Sequence, residues 1–136
     1  MFRLDTRLEQ DTLVVGDLPL CRVLLMNDKQ FPWVILVPRL ANAVEICQLH
    51  AKDRVQLWEE SHQVSEAMLA LFSPDKLNVA ALGNVVKQLH LHHVARFVND
   101  CAWPQPIWGR QPAVPYSSEQ ASVQLTQLRK KLSMEE

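Results

Sequence analysis

At 136 residues and 48% hydrophobic, the chain is long enough for one domain with a single core and too short for two comfortable ones. Its 14 basic and 15 acidic residues leave a formal charge of −1. That balance excludes a global attraction to nucleic acid or an anionic membrane, so any phosphate recognition must be local. Cys21, Cys47 and Cys101 are odd in number and form no CxxC pair. Neither a disulfide framework nor a zinc knuckle is supported, and buried free thiols are expected. No apolar run approaches the roughly 20 residues of a membrane helix. Residues 1–7 mix charge with apolar side chains and lack the apolar stretch of a secretory signal. A reducing cytoplasm is the expected setting.

Along the chain, Phe2 and Leu4 to Leu8 suggest a short N-terminal turn or helix. Thr12 to Val15 and Leu20 to Met26 read as strands joined at Gly16-Asp17-Leu18-Pro19 in a hairpin. Trp33 to Pro38 is a β-branched run of strand length with proline at its end, a third strand. From Ala51 to Phe72 there is no glycine or proline, and Val55, Trp58, Met68 and Phe72 recur at helical intervals, which predicts the main helix. Ser73-Pro74-Asp75 stops it. Leu77 to Leu82 and Val86 to Phe97 then read as a second hairpin turning at Gly83-Asn84. The proline-rich stretch from Trp103 to Pro112 precludes regular structure, and Ser117 or Ser118 can cap a final helix to about Leu132. The expected fold is α+β, an antiparallel meander of about five strands with one main helix packed on it and a C-terminal helix, all in one domain over residues 1–136.

Chemistry concentrates between Gln88 and Arg96. In a strand, Gln88, His90, His92, Val94 and Arg96 share one face, with successive members roughly 6.6 Å apart, while Leu89, Leu91, His93, Ala95 and Phe97 share the other. The second face is nearly all apolar, as a core face should be, and the first is polar except for Val94, as a cleft wall would be. Two imidazoles and a carboxamide so placed could meet one phosphate. Two blander readings stand beside this one. The histidines could be hydrogen-bonded members of a half-buried strand. They could also begin a zinc site, although no cysteine or acidic residue is near in sequence to complete it. Neither metal nor cofactor is expected.

The segment Gly83-Asn84-Val85-Val86-Lys87-Gln88-Leu89-His90-Leu91-His92-His93-Val94-Ala95-Arg96 resembles the signature strand of the histidine triad (HIT) family of nucleotide hydrolases and transferases. That family's motif is His-φ-His-φ-His-φ-φ, with φ apolar. Leu24 to Asn27, Trp33 to Arg39 and the helix centred on Trp58 are similar to its earlier elements in order and spacing, so the likeness spans residues 12 to 110. With Arg96 as anchor, the triad falls on Gln88, His90 and His92, a bacterial-type HIT-like pattern with Gln in place of the first histidine. His93 takes an intervening position on the opposite face and is not expected to be catalytic.

The resemblance implies action at an α-phosphate through a covalent nucleotidyl-histidine intermediate on His90, with His92 meeting the non-bridging oxygens. Gln88 could donate a hydrogen bond but cannot transfer a proton at pH 7, which sets leaving-group protonation apart from the family pattern. The alternative is a nucleotide-binding module with little or no turnover. Asn84 and Asn27 match polar positions near phosphate and ribose, and Trp33 with Phe31 could frame the base. The Trp103–Trp108 segment could cover the site or a neighbouring subunit. The implied partners are a nucleotide or nucleoside-phosphate small molecule and a second copy in a homodimer, with no nucleic acid and no membrane.

Overall fold

Proline, glycine and polar breaks cut the chain into short β-branched runs around one uninterrupted helix. A computed structural model describes residues 1–134, so the last two residues of the expected domain, Glu135 and Glu136, lie outside the described residues. The elements are α1 (Thr6–Asp11), β1 (Thr12–Asp17), β2 (Cys21–Met26), β3 (Trp33–Pro38), a 3₁₀ turn (Ile46–Gln48), α2 (Ala51–Phe72), β4 (Lys76–Ala80), β5 (Leu91–Arg96) and α3 (Ser118–Lys131). The five strands form one antiparallel sheet in the order β1-β2-β3-β5-β4. After β3, α2 crosses the sheet and delivers β4 to the edge, and β5 folds back to fill the place between. The α+β class, the main helix and the C-terminal helix are as the sequence predicts.

Both faces of β3 and β5 are buried. One face presents Val23, Leu25, Val34, Leu36, Leu91 and Ala95 to Leu57, Val64 and Met68 of α2 and to Leu128 of α3. The other face carries Leu24, Trp33, Ile35, Val37 and Val94, and among the described residues no long helix covers it. Instead Phe2, Leu4 and Leu8 close one side, and Phe31, Ala102, Ile107 and Trp108 close the other.

The helix ends follow local chemistry. Ser73 takes a left-handed conformation (φ 46) and its N–H returns to the Leu69 carbonyl, ending α2 at the residue before Pro74. Ser117 and Gln120 form a capping box at the start of α3, whose last turn carries Arg129, Lys130 and Lys131. Glu60 of α2 is fully buried, yet its carboxylate accepts from the Leu20 and Cys21 amides at 2.8 Å each and from the Gln56 amide. Three donors offset the desolvation and fasten α2 to the head of β2. Burial, followed by the Glu60 charge, pushes the neighbouring Cys21 thiol far up. Cys21 alone is a buried thiol; Cys47 and Cys101 are exposed, contrary to expectation, because both lie on surface turns.

The last hairpin departs most from the sequence reading. β4 ends at Ala80, which pairs with His92, and residues 81–90 form a ten-residue connection rather than a tight turn. Leu89 donates its amide to Ala43 O instead of a ladder partner. Gln88 and His90 therefore precede β5 instead of lying within it.

His93 faces α2 and is fully buried. Its Nδ1–H donates to Val34 O (3.3 Å), so Nε2 accepts from the Ser61 hydroxyl (2.7 Å). Burial outweighs these bonds and holds its pKa down at about 4. A depressed histidine pKa stabilises the fold fully above the unfolded value near 6.5 and ceases to do so as pH falls toward 4. Urea midpoints should record a loss of about 2 kcal/mol from this group by pH 5. A His93→Gln variant should show a correspondingly shallower pH slope, and a slope equal to wild type would contradict the assignment.

Candidate active site

The connection entering β5 holds His90 by a short local bond. His90 Nδ1–H donates to the Gln88 carbonyl at 2.6 Å. A carbonyl only accepts, so the proton sits on Nδ1 and Nε2 carries a lone pair. No hydrogen bond engages Nε2 among the described residues, although His90 is only 5% exposed. Gly83 lets the loop approach this ring, since a Cβ there would lie 2.5 Å from Val86 O and 3.0 Å from His90 Cε1. The sequence marks Gly83 only as a turn; its steric role beside His90 is visible only in three dimensions.

His92 is held differently. Trp33 stands opposite Val94 on the neighbouring strand, one diagonal step from His92. Its indole N–H donates to His92 Nδ1 at 3.0 Å, and His92 Nε2 lies 2.9 Å from Leu82 O. Indole only donates, so Nδ1 is the acceptor and the ring proton on Nε2 is given to Leu82. Burial pulls the His92 pKa down to about 4, against the pull of the Leu82 bond and with help from the neighbouring His90 and His93. His92 is thus neutral with both nitrogens engaged, and the expected contact with phosphate oxygens is not available in this arrangement. Its ring meets His90 edge-on with centroids 4.8 Å apart.

Gln88 is the larger correction. Its side-chain amide pairs with Arg3 O and Asp5 N, 2.8 Å each, and so is committed to the N-terminal arm. It lies outside β5, which removes the alternation that would have aligned it with His90.

Three hollows surround these residues. An apolar cleft of about 340 Å³ is lined by Trp33, Leu82, Asn84, His90, His92 and Trp108. A more polar hollow of about 550 Å³ shares Asn84 and His90 and adds Glu45, Lys87 and Gln88. A third, about 460 Å³, shares Trp33 and Trp108 with the first and adds Asn27 and Phe31. His90 therefore stands where the polar and apolar hollows meet. Asn84 lines both, whereas Asn27 is one hollow away and its Oδ1 accepts from the Tyr116 amide.

Trp108 covers the site of its own chain, with its ring at 5.2 Å from His92 and 6.3 Å from Trp33. Arg96 secures the segment that carries it, through Asp100 (2.8 Å) and Asn78 (2.9 Å) and by lying over the rings of Phe31 and Trp103. Burial opposes the Asp100 charge, but Arg96 and the Phe97 and Ala102 amides hold that carboxyl down at about 2. The sequence also missed Arg7, Leu8 and Asp11 of α1 as cleft residues, because they are more than seventy positions away from His90. Among the described residues, no group of three His, Cys, Asp or Glu side chains could hold a metal ion.

Known proteins place this geometry. The HIT domain model matches residues 7–99. Among solved structures, a histidine triad protein from Marinobacter aquaeolei is 51% identical over 98% of this chain and 97% of its own, with a TM-score of 0.96. A histidine triad protein from Bradyrhizobium japonicum is 43% identical over 96% and 98% (TM-score 0.94). One from Sinorhizobium meliloti is 38% identical over 96% of both chains (TM-score 0.93). No curated protein matches the chain. With the family's domain over most of its length and a histidine pair at the mouth of the last strand, the chain belongs to the histidine triad family.

Proposed function

We propose that the protein is a nucleotide-phosphate hydrolase or nucleotidyl transferase that works through a covalent nucleotidyl-histidine on His90. Proteins of its family bind nucleotides and act on them. The observation that carries the finer reading is the His90 ring, whose Nδ1 proton is fixed on the Gln88 carbonyl so that Nε2 is a lone pair at the junction of two hollows. In the first step Nε2 attacks the α-phosphorus, a P–N bond forms, and the bond to the leaving group breaks with its electron pair departing on that group. In the second, water attacks phosphorus, the P–N bond breaks and its electrons return to Nε2, while the water proton passes to solvent.

The nucleoside fits the apolar side, where Trp33 and Trp108 offer ring faces and edges. The leaving group fits the polar side with Asn84 and Lys87. Gln88 cannot give a proton, and neutral His92 gives its own to Leu82. Substrates whose leaving groups depart as stable anions, such as phosphoanhydrides, therefore suit this site better than those that release an amine.

Incubation with a diadenosine polyphosphate and with an adenosine phosphoramidate tests this reading. Rapid quenching should trap adenylate on His90, with faster turnover of the anhydride, and His90→Ala should abolish both. Tight AMP binding without product or trapped adenylate would instead identify a binding module.

A homodimer formed by sheet extension accompanies the proposal. Of the two sheet edges, β1 has its Val14 and Val15 carbonyls covered by Arg129 of α3. β4 carries exposed Val79, with Leu82 and Val85 beside it. An exposed apolar edge invites pairing. Sedimentation should give twice the chain mass for wild type and a monomer for Val79→Lys, and a monomeric wild type at tens of micromolar would refute the dimer.

A further inference from the structure

We propose that Gln88 is a positioning residue that clamps the N-terminal arm against the cleft and thereby couples the arm to the orientation of His90, a role distinct from that of a substitute triad member. The inference rests on reading the cleft as the nucleotide site. The Gln88 carboxamide donates from Nε2 to Arg3 O and accepts at Oε1 from Asp5 N, both at 2.8 Å. Those two groups belong to residues two apart in the arm, so the one side chain bridges them with its donor and its acceptor.

The residue type follows from this pairing. A carboxamide presents its donor and acceptor side by side. A neutral imidazole also has one of each, but its two nitrogens point to opposite edges of the ring, so histidine cannot serve both partners at once. A carboxylate has no donor for Arg3 O. Glutamine alone among these three fits.

The clamp acts in two directions. Toward the N-terminus, Asp5 also accepts from the Arg7 amide and caps α1. Leu8 of α1 is buried in the cluster that includes Trp33 and Ile35, and Phe2 and Leu4 pack on it from the arm. Arg7, Leu8 and Asp11 then form one wall of the apolar cleft. Toward β5, the backbone carbonyl of the same Gln88 receives the His90 Nδ1 proton. Release of the arm thus removes a wall of the cleft and loosens the peptide that selects the His90 tautomer.

The test compares wild type with Gln88→Glu, Gln88→His and a deletion of Phe2 to Leu4, following AMP affinity by calorimetry, amide exchange over Leu8 to Asp11, and the His90 ring by nitrogen chemical shifts. Each change should weaken AMP binding about tenfold, speed exchange in α1 and mix the His90 tautomers. Combining Gln88→Glu with the deletion should add little, because both break one coupled unit. Unchanged exchange and tautomer in Gln88→Glu and Gln88→His, fully additive losses, or a rise in turnover in Gln88→His at unchanged AMP affinity would each overturn the clamp. If wild type binds no AMP, the nucleotide reading fails by itself. The exchange and tautomer measurements still decide the clamp.

Discussion

Strand β5 is buried on both faces, yet it carries two histidines and an arginine. That constraint shapes the whole molecule, because every polar group on a dry strand needs an internal partner. His93 finds Ser61 and Val34 toward α2. His92 finds Trp33 and Leu82 toward the cleft. Arg96 finds Asp100 and Asn78, and in doing so pins the segment that brings Trp108 over the site. His90 sits one residue before the strand and is nearly as buried as His92. Among the described residues only one of its nitrogens is engaged. The proposed nucleophile is therefore located at the point where the loop gives way to the dry strand.

Much of this was legible in the sequence, and the failures have a common cause. The period of two correctly separated His92 and Arg96 from His93, and the unbroken stretch from Ala51 to Phe72 gave α2 at its observed ends. The alternation Gln88-Leu89-His90-Leu91-His92 satisfies the same rule, yet only its last two residues lie in a strand. Periodicity reports what a strand would expose, not whether a partner strand is present. Here β4 has already ended at Ala80, and the amide of Leu89 is taken by Ala43. A partner more than forty positions away leaves no local mark. The same holds for Gln88, whose partners lie 83 and 85 residues earlier, and for α1 as a wall of the cleft.

The two covers of the site face differ in how they are held. The Trp108 side is fastened by a buried ion pair, whose loss would strand a charge among apolar groups and cost several kcal/mol. The arm side is held by two neutral hydrogen bonds and the partly buried Phe2 and Leu4, bonds each worth about 1 kcal/mol.

The neutrality of His92 has a consequence for the proposed chemistry. A charged imidazolium beside His90, at the 4.8 Å ring separation, would cost about 3 kcal/mol against any developing positive charge on that ring at an effective dielectric of about 20. In the proposed adduct, with Nε2 bonded to phosphorus, His90 would carry such a charge. A cationic His92 would help bind phosphate oxygens but would oppose formation of the covalent adduct. Burial and the Trp33 indole hold His92 neutral, so the proposed adduct would be spared that repulsion. In that proposal the negative charge of the phosphate would be met by groups at the rim, where Lys87 borders the polar hollow and Arg7 the apolar one. In the proposed reaction, separating the two tasks would let the dry histidine pair favour bond formation while solvated cations manage charge at a distance that does not penalise the nucleophile.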